Sequence, residues 1–360
     1  MRYSRRGSAV TAPPHVKFPA TNLRTPVFNS FQYNPLPCEP LDPLGSQLRD
    51  SSGFDGSPKL IVNSDLARVW YKPDDKFKMP KLNVMATLHS PHVYAEPESY
   101  CCAQLWVSCL NEMTNEFAYM ASMAGLSSSV SSSRVGIEVS VSGFNHKLHI
   151  LMGKVFETIK SFDTLLTASL FDRIKEKTMK TMKNFYYSQP YSHAGQATDI
   201  ILGPVMFQVQ ERLAALEGIE IDDLKVFSKK LLKRTFVEML VHGNATAEEA
   251  KRFLDVVVSS IEPKPLFPST KANHRVARLK RGRDYVYRFK CYNDQEANSC
   301  CQDIFQLSAD TVKISASSYF LAHLINEPCF DILRTKETLG YIVFSGRKVR
   351  DRSEERRAVK

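Results

Sequence analysis

The sequence predicts an α+β fold, an antiparallel sheet with helices packed on one face. Short segments with period-two apolar alternation recur along the chain, and longer segments between them carry apolar residues at helical spacing. The hydrophobic content of 43% is enough for real cores, and a charged content of 24% is ordinary for a globular protein. A chain of 360 residues allows about two or three domains.

Taken in order, Ala67–Tyr71 and Leu82–Leu88 carry β-branched and apolar residues with strand-like alternation. Pro97–Ala124 sets Leu105, Trp106, Cys109, Leu110, Met113, Phe117 and Met120 at helical spacing, with Gly125 as a stop. Val135, Ile137, Val139 and Val141 alternate as a half-buried strand. Helical patterns follow over His146–Ser161, Leu166–Ser188, Ser192–Leu202 and Ile221–Lys233. Phe236–His242 is expected as a strand and Ala247–Ile261 as a helix. The proline-rich run Ile261–Pro268 then acts as a stiff linker. Beyond it, strands are expected at Arg275–Leu279, Tyr285–Lys290 and Asp303–Leu307, and a helix over Val312–Ile325. The expected division is an irregular or disordered segment over 1–57, a unit over 58–262, a linker over 263–274, a second unit over 275–346 and a disordered basic tail over 347–360.

Charge and cysteine content exclude several classes. The formal net charge is +10, but it sits at the ends. Residues 1–38 hold five basic side chains and no acid, and residues 345–360 hold seven basic and three acidic. Of 48 basic and 38 acidic side chains in all, the body keeps 36 and 35. A neutral body speaks against nucleic acid, whose binders carry a basic stripe on a folded face. No apolar run approaches ~18 residues, so no membrane-spanning helix is expected. Of the eight cysteines, Cys101-Cys102 and Cys300-Cys301 are adjacent pairs that rarely bridge, and there is no C-x-x-C and no secretory signal peptide. Reduced thiols in a cytoplasmic compartment are expected. Met1–Val16 has the basic, acid-free composition of a mitochondrial presequence, although Pro13 and Pro14 interrupt an amphipathic helix.

The chemistry concentrates in Glu327–Gly346. Arg334 and Tyr341 stand at the end of a short apolar helix and the start of an apolar strand, joined by a turn around Leu339-Gly340. A planar fork of donors and a phenolic O–H suit a polarised carbonyl oxygen or a peptide backbone. The pair brings no nucleophile, general base or metal ligand. The alternative is a surface arginine bridged to Glu337 and a tyrosine packed in a sheet.

Glu327–Gly346 resembles the C-terminal signature of the pitrilysin family of zinc metallopeptidases, in its insulysin/nardilysin branch. Leu66–Lys81 is similar to the opening of the third domain of those enzymes, and Ser142–Leu148, Asn184-Phe185, Gln189-Pro190, His242–Asn244 and Lys264–Leu266 follow in family order. Gly143–Lys147, Asp331–Lys336 and Asn293–Ser299 lean towards nardilysin, whereas Ile342–Gly346 and Gln189-Pro190 with His193 lean towards insulysin. The resemblance implies a fold that repeats one α+β unit four times, two per half. Residues 58–262 would be the complete third unit and 275–346 a truncated fourth.

The family's metal site is His-x-x-Glu-His on a helix. None of the nine histidines here fits it: His89 and His92 flank Ser90-Pro91, His146 and His149 enclose Lys147-Leu148, and His323 precedes Glu327 without a second histidine. The expectation is therefore no metal ligand and no cofactor in this chain, with zinc in an N-terminal half that it does not resemble. The resemblance implies that Tyr341 meets the developing oxyanion, Arg334 holds substrate backbone or carboxylate, and Phe330 lines an apolar side-chain pocket. The implied partners are that zinc-binding half, or a full-length family member, and a peptide substrate. The runner-up is a non-catalytic peptide- or partner-binding domain or a truncated gene product.

Overall fold

The computed structural model describes residues 56–203, 206–267, 270, 277–307 and 311–348. The expected irregular segment falls outside these residues except for 56 and 57, and the expected basic tail except for 347 and 348.

Six strands form one sheet in the order β1-β2-β6-β3-β5-β4. They are β1 (Lys59–Asn63), β2 (Ala67–Pro73), β3 (Lys81–His89), β4 (Leu126–Ser132), β5 (Gly136–Phe144) and β6 (Phe236–Gly243). Period-two burial decides which way each strand faces. Val69, Val84, Val139 and Met239 point into the core, and Trp70, Met85, Ser140 and Glu238 point to the open face. One ladder is not antiparallel: β2 and β6 run parallel, with Val69 opposite Met239. The cause is topological. β6 returns after a long helical excursion and inserts between β2 and β3, which run oppositely, so one of its two ladders has to be parallel.

Helices cover the core face. α1 (Pro97–Met123) follows β3 and packs on β4. Its Trp106 is fully buried, and the indole N–H donates to Ser228 Oγ at 3.1 Å. α2 (Asn145–Lys160) leaves β5 directly, and α3 (Phe162–Leu165) is one turn that buries Phe162 against Trp106. α4 (Ala168–Asn184), α5 (Pro190–Leu202), α6 (Val209–Gly218) and α7 (Ile221–Lys233) follow, then α8 (Ala247–Ile261) after β6. Thr246 and Glu249 close a reciprocal capping box at the start of α8, satisfying two backbone donors.

The linker is docked. Thr235 N–H donates to the Lys264 carbonyl, and the Arg234 guanidinium lies 4.3 Å from the Phe267 ring centroid. Beyond it the expected strands are corrected. Residues 277–307 contain no strand, and positions 275 and 276 lie outside the described residues. The Gln306 side chain bonds the Leu279 N–H and the Ala277 carbonyl where a ladder would have run. Tyr285, Val286, Tyr287, Phe305 and Leu307 remain exposed. Alternation makes a strand only when a neighbouring strand and an apolar cover are present. α9 (Val312–Phe330) forms as expected and runs five residues longer.

Candidate functional site

α9 is capped by Thr311, whose hydroxyl accepts the Ile314 N–H. Near its end stands Pro328, which has no N–H to give to the preceding turn. The helix then widens into a π-helical turn over Asp331–Lys336, closed by Glu337 N–H to the Ile332 carbonyl and by a 2.8 Å ion pair between Lys336 and Asp331. Such wide turns are frequent at functional sites.

Arg334 lies on this turn, four residues after Phe330 and so on the same helical face. Thr338 then takes left-handed backbone, φ 49°, which L-residues with branched Cβ rarely adopt. That residue turns the chain back, and Tyr341 returns over Arg334. The guanidinium carbon lies 4.4 Å from the Tyr341 ring centroid and 4.8 Å from that of Phe330. The structure thus brings together the three site residues named from the sequence. Each stacking contact is worth about 0.5–1 kcal/mol at an exposed position. Tyr341 is 81% exposed, and among the described residues its hydroxyl has no hydrogen-bond partner. Among the same residues no carboxylate, Glu337 included, pairs with Arg334.

Downstream, 341–348 folds back along α9 and reaches α5. Ser345 Oγ donates to Asn326, Arg347 donates to Ser315 Oγ at 2.8 Å, and Lys348 pairs with Asp199 on α5 at 2.7 Å. Phe344 meets Tyr191 of α5 edge to face. The apolar strand expected after the turn is corrected: 341–348 borders no other strand among the described residues and so forms none.

Among the described residues no group of three or more His, Cys, Asp or Glu is placed to hold an ion. His89 instead bonds Glu238 at 3.1 Å, and burial followed by the charge of Lys230 lowers the pKa of His92.

Two polar groupings escaped the sequence reading. On the open sheet face Glu238 accepts from His89 and from the Trp70 indole at 3.3 Å, with Arg68 at 3.9 Å. The His89 hydrogen bond leads in lowering the Glu238 pKa from 4.5 to about 2, with the Trp70 hydrogen bond and then the charge of Arg68 behind it and burial opposing. The second grouping is His193 with Cys291, 3.3 Å apart across 98 residues. No spacing rule could have announced either.

Comparison with known proteins places the chain. The family profile described as the middle or third domain of peptidase M16 matches residues 16–215, and that described as the peptidase M16 inactive domain matches 218–353. Human insulin-degrading enzyme is 33% identical over 293 residues, covering 80% of this chain and 28% of that protein. The A-factor-processing enzyme of Saccharomyces cerevisiae is 32% identical over 290 residues, covering 80% and 28%. Insulin-degrading enzyme-like 2 of Arabidopsis thaliana is 33% identical over 306 residues, covering 83% and 32%. The chain therefore spans about three-tenths of the length of these relatives. The crystal structure of pitrilysin superposes with a TM-score of 0.65 at 19% identity, over 82% of this chain and 31% of that one, which supports the fold. With profiles of two successive domains matched along its length, this chain belongs to the M16 peptidase family, among the relatives of insulin-degrading enzyme.

Proposed function

We propose that this chain is the substrate-clamping C-terminal half of a zinc metalloendopeptidase, inactive alone and acting with a zinc-binding N-terminal half. The observation that carries this reading is the Arg334–Tyr341 stack, with the phenol exposed and the guanidinium held between two rings. In this role the Tyr341 O–H donates to the oxygen that gains negative charge at the scissile carbonyl. Arg334 holds substrate backbone or a carboxylate through its planar fork. Phe330 offers an apolar wall beside them. The reading also keeps 58–262 as the complete unit and 275–346 as the opening of the next. The test is to supply an N-terminal family half and measure peptide cleavage with and without this chain. A gain in turnover supports the clamp, and a stable complex without gain removes it.

A second reading is a non-catalytic partner-binding domain. It is favoured by the apolar side chains left uncovered along 285–307 and on α9, among them Tyr287, Phe305, Phe320 and Leu324. Complex formation that is indifferent to Tyr341 and Arg334 would select it.

A further inference from the structure

The attachment of 277–348 to the first unit converges on one helix. α5 offers the Leu202 carbonyl to Ala277 N–H, Thr198 to Gln302, Asp199 to Lys348 and Tyr191 to Phe344. One further contact in its first turn is chemically unlike these, because it joins an imidazole to a thiol.

His193 sits in the first turn of α5 and is 2% exposed. Its Nε2 lies 2.8 Å from the Phe185 carbonyl oxygen, which can only accept, so Nε2 carries the proton. In the neutral ring Nδ1 is then the bare nitrogen. That nitrogen faces Cys291 Sγ at 3.3 Å. The Phe185 ring at 4.9 Å and Tyr292 at 5.1 Å hold the imidazole in this orientation, and Tyr186 braces Tyr292 at 5.4 Å. Nucleophile, base and a third group orienting the base are the parts of an activated thiol.

We propose that Cys291 is a base-assisted modification site for hydroperoxides, and that its oxidation unfastens 277–307 from α5. In the reaction the thiol proton passes to His193 Nδ1 and the sulfur attacks the terminal peroxide oxygen. The S–O bond forms as the O–O bond breaks. The departing alkoxide takes the proton back from Nδ1 and leaves as an alcohol. Sulfur is oxidised by two electrons to the sulfenic acid and the peroxide is reduced to the alcohol. The added oxygen has no room inside a 3.3 Å sulfur–nitrogen contact, so the bond to His193 is lost.

The other described thiols lack this arrangement. Cys101, Cys102 and Cys109 lie in the core, where burial pushes them up to about 11, 12 and 12. Cys301 is exposed and, among the described residues, has no base beside it. It is the internal control.

The experiment uses the full chain. Iodoacetamide labelling at neutral pH, resolved by peptide mass spectrometry, gives each cysteine's rate. General bases are worth about 10²–10⁴-fold in enzymes, and a half-buried sulfur belongs at or below the low end, so Cys291 is expected to react about tenfold faster than Cys301. His193→Gln keeps a donor for the Phe185 carbonyl but removes the base, and should bring Cys291 to within about twofold of Cys301. A wild-type Cys291 no faster than Cys301 overturns the site, and that comparison stands even if the variant does not fold. After tert-butyl hydroperoxide, dimedone should trap sulfenic acid at Cys291, and amides in 277–307 should exchange faster while those of β3 and β5 do not change. No dimedone adduct at Cys291 also overturns the site, and unchanged exchange in 277–307 overturns the unfastening.

Discussion

The Tyr341 ring closes over the Arg334 guanidinium at 4.4 Å, seven residues later in the chain, because Thr338 between them takes left-handed backbone. The stack leaves Tyr341 81% exposed and sets the arginine fork against its ring.

In the trans assay, Tyr341→Phe keeps the ring over Arg334 but removes the donor. Losing one donor at a well-formed oxyanion site costs on the order of 10²–10³ in turnover, so the rescue should fall by at least about 100-fold with complex formation intact. Arg334→Lys keeps the charge and loses the fork, and should also fail to substitute. Steady-state kinetics beside a binding measurement separates these outcomes. Full activity in both variants would leave the two residues purely structural.

The purified chain should hold less than one zinc per molecule and should not cleave peptides in a chelator-sensitive manner. Three protein ligands are the least a catalytic zinc site uses, and the described residues do not assemble them. Elemental analysis after dialysis, run beside a peptidase assay, decides the point. One tightly held zinc with chelator-sensitive hydrolysis would refute it.

Glu238 makes stability depend on acid pH. Its pKa falls from 4.5 to about 2 on folding, so the ionised form stabilises the fold above about 4.5. That contribution is lost as pH falls through about 2. The side chain keeps 33% of its surface in water, which screens the charge. Glu238→Gln should therefore cost only about 1 kcal/mol at pH 7. The difference from wild type should shrink to nothing near pH 2 in denaturant melts. A constant difference across the range would mean that the hydrogen bonds to His89 and Trp70 do not depend on charge.

Glycines give a paired test of the packing. A Cβ at Gly136 would overlap the Leu88 carbonyl oxygen, and backbone cannot swing aside. Gly136→Ala should lose about 1–3 kcal/mol, the usual cost of overpacking. At Gly153 in α2 an added Cβ meets nothing within 4 Å, so Gly153→Ala should gain up to about 1 kcal/mol of helix propensity. Thermal melts of the two variants should move in opposite directions.

The elements legible in the sequence were those whose apolar period is long and regular. α7 and α8 have the bounds that the pattern predicted, β3 is one residue longer at each end, and α1 is one residue shorter at its C-terminal end. β4 was missed because it is mostly serine, with Leu126 and Val130 four apart in place of every second residue. β1 was missed because it is only five residues long and borders a stretch read as a loose connection. α6 did carry a signal, the capping pair Gln208 and Glu211, but without the Ser or Thr that usually marks a start.

The sequence by itself determined the fold class, the family and the names of Arg334, Tyr341 and Phe330, because periodicity and short motifs are local and survive being written as a string. Phe330 and Arg334 share a face simply by standing four apart on a helix. Only the tertiary structure decided that Tyr341 returns over Arg334, since one left-handed residue sets the path of the turn. Only it decided that β6 enters the sheet parallel to β2, and that residues 277–307 form no ladder, because a strand exists only in the company of another. Only it set His193 against Cys291 and His89 against Glu238, pairs 98 and 149 residues apart, because contacts at that separation are made by packing the helices and sheet together and leave no periodic mark on the chain.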